Sequence, residues 1–313
     1  MIKIIDRLSG EEPVIVHATG LRKLSGQIPL WALIRKNWTT PFISEEDRKT
    51  LGELTILTWN STETKSILEE CLGEMGVSCL VLGKGYNGKW TNAEKIRLTA
   101  KALAGVKTPY VMGLDSFDVI FTGSPAAALR RFKNMPCEML FNSQVRSFYP
   151  SLHFIDAGSI TAQWEAFQFS VYKKRGSTLN GGAWIGKTSF CLTFMEDCAK
   201  RDVDELIKKG MIPECSQARA SDQIIYSWVF PDYYPLVQLD ENRALFINLY
   251  PSVNFSEVKL VTPRASENFY YEILRVRDRA WVLMWKALNA SRSFRGRLGL
   301  RRCQWDAKKR KRA

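Results

Sequence analysis

The apolar positions in the first half of the chain alternate between short runs and helical spacings. Three mostly apolar runs are typical of buried strands, at residues 54–59, 78–82 and 110–114. Two segments between them carry apolar side chains at helical spacing and end at a glycine, residues 60–76 and 91–105. Strand, helix, strand, helix and strand with short connections predict an α/β fold with a parallel sheet and right-handed crossovers.

The rest of the chain continues this pattern with less regular spacing. Further strands are predicted at residues 139–143 and 178–186, the second interrupted by glycines. Helices are predicted at residues 189–209, 221–228 and 267–290, the last of them amphipathic. Because open α/β sheets bind their ligands beyond the carboxyl ends of the strands, we expect the functional site where strand 110–114 ends.

Two aspartates follow that strand directly. Asp115 and Asp118 are three residues apart, with apolar residues before and after them. Carboxylates in such surroundings are costly unless a positive group compensates them, and oxygen ligands suit Mg²⁺ or Mn²⁺. The sequence therefore favours a divalent metal site at this strand end. The alternative is that both aspartates cap the next turn or helix.

Composition limits the class of protein. With 313 residues, 45% of them hydrophobic and 25% charged, the chain can bury a sizeable core in one large domain or two small ones. No run approaches the roughly 18 apolar residues of a membrane span, and the N-terminus becomes charged too early for a secretory signal. The seven cysteines are odd in number and include no CxxC pair, which indicates reduced thiols in a cytoplasmic protein.

The net charge of +13 is concentrated in residues 291–313. That segment holds ten of the 45 lysines and arginines and a single acidic residue, Asp306, so residues 1–290 are close to neutral. Such basic tails bind nucleic acid, anionic lipid or acidic partners, and lipid binding would place the protein at the inner membrane surface. The alternative is a solvating tail with no specific partner.

Several motifs between residues 54 and 260 share the order and spacing of a known family. They are a loop and helix at 81–101, Leu-Asp-Ser-Phe-Asp-Val-Ile-Phe with Gly-Ser-Pro at 123–125, Glu-Met-Leu-Phe-Asn-Ser, Leu-Asn-Gly-Gly-Ala-Trp-Ile-Gly, Ser-Asp-Gln and Leu-Phe-Ile-Asn-Leu. With them the chain resembles the glycosyltransferase domain of the procollagen lysyl hydroxylase/glycosyltransferase family. The resemblance implies a GT-A fold, with a Rossmann-like, mostly parallel central sheet flanked by helices, that uses a UDP-sugar and Mn²⁺. We expect this domain at residues 1–265, followed by a C-terminal helix (266–290) and the basic tail (291–313).

One departure from the family changes the expected order of elements. In the family a His-x-x-Gly-x-x-Lys stretch follows the last strands of the domain, whereas here residues 13–23 match it at the opposite end. The match implies a circularly permuted domain whose His-bearing strand lies in residues 1–30. His17 would then be the third metal ligand, with Gly20 and Lys23 at the diphosphate. The alternatives are a buried or capping histidine and a misassembled gene product.

The resemblance also assigns residues to a bound nucleotide sugar. The metal would be held by Asp115, Asp118 and His17, and the nucleotide would be contacted by Thr58, Trp90, Lys95 and Phe117. The aromatic faces of Trp90 and Phe117 would flank the uracil ring. Core packing is the alternative for these two rings, and an exposed helical position is the alternative for Lys95.

On the acceptor side, two residues are candidates for catalysis. Asn180 precedes Gly181-Gly182, which permits close backbone approach to a sugar, and Asp222 would position or deprotonate an acceptor hydroxyl. The alternative for Asp222 is a helix N-terminal aspartate favoured by the helix dipole. In the family a longer acidic run precedes the glutamine that corresponds to Gln223, and here only Asp222 of that run remains. The identity of the acceptor is therefore left open, and a glycan and another hydroxylated molecule are both candidates.

Two other functions fit parts of the sequence. Paired carboxylates that hold Mg²⁺ also serve phosphoryl and nucleotidyl transfer, although no second carboxylate cluster and no P-loop accompany them here. Alternatively, the chain is a nucleic-acid-binding or membrane-binding protein that acts through its basic tail.

Overall fold

The computed structural model describes residues 3–7, 9–18, 34–88, 90–144, 167, 171, 178–212, 221–249 and 258–261. Its strands are β1 (Lys3–Asp6), β2 (Ile15–His17), β3 (Leu54–Trp59), β4 (Leu80–Leu82), β5 (Tyr110–Asp115), β6 (Val119–Phe121), β7 (Met139–Gln144), β8 (Thr178–Lys187), β9 (Val237–Asp240), β10 (Phe246–Asn248) and β11 (Val258–Val261). Its helices are α1 (Glu45–Leu51), α2 (Ile67–Glu74), α3 (Ala93–Leu103), α4 (Pro125–Lys133), α5 (Thr188–Ala199), α6 (Val203–Lys208) and α7 (Asp222–Tyr233).

A six-stranded sheet forms the centre of the described structure, in the order β4-β3-β5-β8-β7-β9. β3 pairs in parallel with β4 and β5, and β7 pairs in parallel with β9. β8 runs antiparallel to both of its neighbours, β5 and β7. The predicted fold class, a mostly parallel α/β sheet flanked by helices, is therefore confirmed and is consistent with a GT-A arrangement.

Both faces of this sheet are buried. Successive residues of a strand point to opposite faces, and here neighbouring residues belong to two different cores. On β3, Ile56 belongs to the core on one face and Leu57 to the core on the other. On β5, Met112 and Val111 divide in the same way. Mostly apolar runs such as Leu54–Trp59 are typical of strands that lie between two helix layers.

A smaller sheet places β2, which lies near the N-terminus, beside the end of β5. Its order is β10-β2-β6, with β2 parallel to β10 and antiparallel to β6. Since β6 begins four residues after β5 ends, β2 is brought beside the turn that joins them. The expected His-bearing strand near the N-terminus is thus present, and a two-stranded pair of β1 and β11 completes the strands described.

Two predicted helices differ in start or number from those observed, and the helix predicted at 221–228 extends to Tyr233. The helix expected from residue 60 begins at Ile67, because the Ser66 side chain caps it and the Asn60 side chain instead bonds the backbone of the preceding loop. The helix expected at 189–209 is two helices, α5 and α6, since Asp202 accepts a hydrogen bond from the backbone of Asp204 and caps the second. The predicted helix at 266–290 and the basic tail lie outside the described residues.

Candidate metal centre

The two aspartates lie at the carboxyl end of β5, as the sequence predicted. Asp115 is the last residue of β5, opposite Trp59 of β3, and Asp118 directly precedes β6. Both side chains are partly accessible, with 23% and 22% of their surface exposed. The backbone carbonyl of Asp118 accepts a hydrogen bond from the amide of Ala18 at 2.7 Å, which joins this turn to the end of β2.

His17 brings an imidazole to the same place from a distant part of the sequence. It is the last residue of β2, in register with Val119 of β6 and Asn248 of β10, and it is 1% exposed. Its Nε2 lies 3.5 Å from Asp115 Oδ2 and 3.5 Å from Asp118 Oδ1. The three side chains offer ligand atoms that all lie within 4.8 Å of one another, so they form one cluster.

The spacing of these atoms fits a shared divalent ion. Nitrogen and oxygen ligands stand about 2.0–2.2 Å from such an ion, so that two ligands of one ion are ~3–4 Å apart. The 3.5 Å separations fall within this range and exceed those of good hydrogen bonds. One imidazole and two carboxylates form a mixed nitrogen and oxygen donor set, which suits Mn²⁺ and other first-row divalent ions.

A glycine on β8 makes room for this cluster. The register of β7 and β8 shifts after Phe141, because Phe141 pairs with Trp184 whereas Asn142 pairs with Asn180. The bulge brings the backbone of Gly182 against the cluster. A Cβ atom at Gly182 would stand 2.3 Å from His17 Cε1 and 2.5 Å from Asp115 Oδ2. Any larger residue would therefore displace two of the three candidate ligands.

The two carboxylates of the cluster determine the protonation state of the His17 imidazole. Burial lowers the pKa of His17, but the Asp118 and Asp115 carboxylates oppose it and raise the pKa to about 9. Without a cation the ring is therefore an imidazolium between two carboxylates at neutral pH. A metal ion would replace the ring proton, because a metal ligand must offer a neutral imidazole nitrogen.

Lys95 connects the cluster to a third carboxylate. It lies on α3 with 8% of its side chain exposed, and its Nζ donates to Asp115 Oδ1 at 2.5 Å. The same Nζ lies 3.7 Å from Asp222 Oδ2 and 5.2 Å from the centre of the Trp59 ring. Asp115 thus binds the ammonium through one oxygen and faces His17 through the other. With His17 neutral, three carboxylates and one ammonium leave two negative charges, which a divalent cation would balance.

The pKa shifts of this group follow from the same contacts. Burial would raise the pKa of Asp115, but Lys95 and His17 hold it well below its ordinary value. Burial would lower the pKa of Lys95, but Asp115 and Asp222 raise it above its ordinary value. Burial raises the pKa of Asp222, and the opposing effect of Lys95 does not cancel this increase. Asp115 and Lys95 therefore form a charged pair, while Asp222 holds a proton more readily than an exposed aspartate.

The two predicted acceptor-side residues flank the glycine bulge. Asp222 is the first residue of α7 and is 5% exposed, and its Oδ1 accepts from the backbone amide of Gln223. A Cβ on Gly181 would stand 3.4 Å from Asp222 Oδ2, so this carboxylate lies against the bulge. Asn180 accepts a 2.9 Å hydrogen bond from the Gly182 amide, which fixes the backbone beside the cluster.

Sequence reasoning missed a group of buried carboxamides beside His17. Asn142 and Gln144 lie on the same side of β7, and Gln144 Oε1 accepts from Asn180 at 3.0 Å and from Asn248 at 3.3 Å. Asn142 lies next to the imidazole, with its amide nitrogen 3.4 Å from His17 Nδ1. The signal was two amides at alternate positions at the end of a strand that begins with three apolar residues, Met-Leu-Phe-Asn-Ser-Gln.

Three of the remaining predicted nucleotide contacts belong to the part of the chain that the structure describes. Thr58 is fully buried and donates to the carbonyl of Leu114, the residue before Asp115. Trp90 is partly buried, packs edge-on against Tyr86 and covers Gly83. Phe117 lies in the turn between the two aspartates and is partly exposed. Gly20 and Lys23 lie outside the described residues. The roles of these five residues at a nucleotide stay predictions.

Comparisons with known proteins assign no family. No family model matches the chain, and no curated protein matches it. Among solved structures, the chain is similar to mouse xyloside xylosyltransferase 1 in its apo form, at 11% sequence identity and a TM-score of 0.37. The match covers 71% of this chain and 82% of the mouse chain. At that level the likeness does not extend to substrates, and membership of the procollagen glycosyltransferase family stays a prediction.

None of the helices in the described part of the chain combines the length and the apolar character that crossing a membrane requires.

Proposed function

We propose that this protein is a metal-dependent glycosyltransferase that moves a sugar from a nucleotide sugar, a UDP-sugar in our proposal, to an acceptor hydroxyl. The observation that carries the proposal is the cluster of His17, Asp115 and Asp118. It lies at the carboxyl end of a parallel strand, where open α/β sheets bind their ligands. The family resemblance of the sequence motifs supports sugar transfer as the chemistry at this site.

In this proposal His17, Asp115 and Asp118 hold Mn²⁺ or Mg²⁺, which supplies Lewis-acid stabilisation of the negative charge on the departing diphosphate. Lys95 orients Asp115 by binding its Oδ1. It also keeps this carboxylate ionised, which a ligand must be. Gly182 lets the His17 and Asp115 side chains lie against the backbone of β8, where a Cβ atom would collide with both.

The other predicted residues act on the substrates. Trp90 and Phe117 flank the base, and Lys23 and Gly20 meet the diphosphate. Thr58 supports the same site by fixing the end of β5 through its bond to the Leu114 carbonyl.

Asp222 is the proposed base for the acceptor hydroxyl. It is buried at the start of α7, and the rise in its pKa brings it closer to the working pH of a proton acceptor. In the transfer step the acceptor oxygen loses its proton to Asp222 and forms a bond to the anomeric carbon. The bond from that carbon to the diphosphate oxygen breaks, and UDP departs with the electron pair. Asn180 holds the glycine backbone along which the sugar would lie.

Ligand-dependent stabilisation and product analysis test the proposal. Thermal unfolding is measured with UDP, GDP and their sugars, each with and without Mn²⁺. We expect UDP to raise the unfolding temperature only with metal, and the effect to vanish in Asp118→Ala. Incubation with UDP-sugars then separates two chemistries, because glycosyl transfer or hydrolysis releases UDP whereas phosphoryl chemistry releases UMP and a sugar phosphate. Release of UMP would replace this proposal with a phosphoryl-transfer enzyme.

We also propose that the basic segment 291–313 contacts a polyanionic partner, on the strength of its ten lysines and arginines. Co-sedimentation with anionic vesicles is the test, with neutral vesicles and nucleic acid as comparisons. We expect binding that salt weakens and that deletion of 291–313 abolishes. Equal binding by the deleted chain would rule this contact out.

A further inference from the structure

We infer that Asn142 is a positioning residue for the metal site, because its side-chain oxygen accepts the Nδ1 hydrogen of His17 and leaves Nε2 to face Asp115 and Asp118. The inference rests on the metal site of the proposed function and is independent of whether the chain transfers a sugar. It names a residue of β7, 125 positions away from His17 in sequence, as a determinant of metal affinity.

The geometry places Asn142 as the partner of His17 Nδ1. The Asn142 side chain is 1% exposed, and its amide group reaches the ring at 3.4 Å. The other ring nitrogen, Nε2, points to the two carboxylates at 3.5 Å each. The two ring nitrogens therefore face different partners, with a carboxamide on one side and two carboxylates on the other.

The hydrogen on the ring decides which amide atom must face it. As an imidazolium, His17 carries hydrogen on both nitrogens, and as a ligand through Nε2 it carries hydrogen on Nδ1 alone. In both states Nδ1 is a donor, and the amide nitrogen of Asn142 has no lone pair to accept it. Only the neutral tautomer with hydrogen on Nε2 would accept from that amide, and that tautomer cannot bind a metal through Nε2.

The side-chain oxygen of Asn142 is the hydrogen-bond acceptor that the Nδ1 hydrogen of His17 requires. Among the described residues, Asn142 Oδ1 is buried and has no hydrogen-bond partner. A half-turn of the carboxamide exchanges its oxygen and nitrogen with almost no change in shape. After this exchange Oδ1 accepts from Nδ1–H, which fixes both the ring orientation and the tautomer. A buried acceptor without a partner is costly, and the exchange gives Oδ1 a donor in Nδ1–H.

Metal affinity provides the first test. Mn²⁺ binding to the full chain is measured by titration calorimetry in wild type, Asn142→Leu, Asn142→Asp and Ser143→Ala. We expect Asn142→Leu to weaken binding by about 10–100-fold, the range for loss of such outer partners. Asn142→Asp keeps an acceptor and should retain binding. Ser143 lies beside Asn142 on β7 and donates a buried hydrogen bond to the Asp240 carbonyl of β9, so Ser143→Ala removes that bond and should leave metal affinity unchanged. Wild-type affinity in Asn142→Leu would overturn the inference.

Imidazole NMR provides a second test that needs neither metal binding nor catalysis. The chain has two histidines, so ¹⁵N labelling in a His153→Gln background reports His17 alone. We expect Nδ1 to carry a hydrogen that exchanges slowly with solvent, both without metal and with Mg²⁺. The protection should disappear in Asn142→Leu and return in Asn142→Asp. An unprotonated Nδ1 in wild type would overturn the inference, as would equal protection in Asn142→Leu. Failure of UDP-sugar binding alone would affect only the proposed function.

Discussion

Replacing Gly182 by alanine is the sharpest perturbation of the candidate metal centre, because it adds one methyl group where the ligands meet. The new Cβ would stand 2.3 Å from His17 Cε1 and 2.5 Å from Asp115 Oδ2. Ordinary carbon contacts are about 3.5–4.0 Å, so the imidazole must move by ~1 Å or more. Metal–ligand distances tolerate changes of only about 0.2 Å. We therefore expect Gly182→Ala to lower Mn²⁺ affinity at least tenfold.

The assay compares Gly182→Ala with Gly181→Ala by Mn²⁺ titration calorimetry. The three atoms nearest to a Cβ at Gly181 would be two Tyr226 ring atoms at 3.0 Å and Asp222 Oδ2 at 3.4 Å, and none of them belongs to the three ligands. Both variants carry an overpacking cost of roughly 1–3 kcal/mol, so circular dichroism and thermal unfolding check that each is folded. We expect Gly181→Ala to keep wild-type affinity within a few-fold. Folded Gly182→Ala with wild-type Mn²⁺ affinity would refute the assignment of His17 and Asp115 as ligands.

Three further predictions follow from other contacts. Lys95→Met removes the ammonium that Asp115 and Asp222 share. In metal-free protein, the free energy of unfolding in urea should therefore fall by about 3–5 kcal/mol. Added Mn²⁺ should restore part of this loss. Unchanged stability would contradict the ion-pair reading. Asp222→Asn should lower sugar transfer by about 10²–10⁴-fold in a coupled UDP-release assay and leave Mn²⁺ affinity unchanged, and full activity would exclude it as the base. Hydrogen bonds and the charge of Arg130 outweigh burial and lower the pKa of Asp47 below its ordinary value. The ionised form therefore stabilises the fold above about pH 3.9, and this contribution is lost as pH falls through the lowered pKa. Asp47→Asn should be less stable than wild type by about 1 kcal/mol at pH 7 in urea unfolding, with a difference that shrinks below pH 3.9.

The central strands and the aspartate pair were predictable from sequence because their signals are local. A strand that is buried on both faces is a mostly apolar run, and the structure reproduces Leu54–Trp59 with the predicted bounds. Asp115 and Asp118 interrupt such a pattern, and carboxylates among apolar residues require a partner. His17 was found through the spacing of a family motif, and the structure brings it beside the pair.

The supporting contacts were not predictable, because they depend on tertiary structure. Lys95 is a lysine at the start of an amphipathic helix, and its sequence context does not distinguish a buried ammonium from an exposed one. Asn142 meets His17 only because β7 and the small sheet lie side by side, and the bulge that brings in Gly182 arises from a register shift between two strands. Helix boundaries were missed where single side chains, Asn60 and Asp202, bond the backbone.

Pulsed electron paramagnetic resonance of Mn²⁺ bound to the full chain reports directly on the proposed ligands His17, Asp115 and Asp118. We expect one bound Mn²⁺ per chain, with an electron-spin-echo modulation from a single imidazole nitrogen. That modulation should disappear in His17→Gln, and the bound ion itself should be lost in Asp118→Asn. Bound Mn²⁺ without a nitrogen coupling, or a coupling that survives in His17→Gln, would contradict the metal centre on which the proposed function depends.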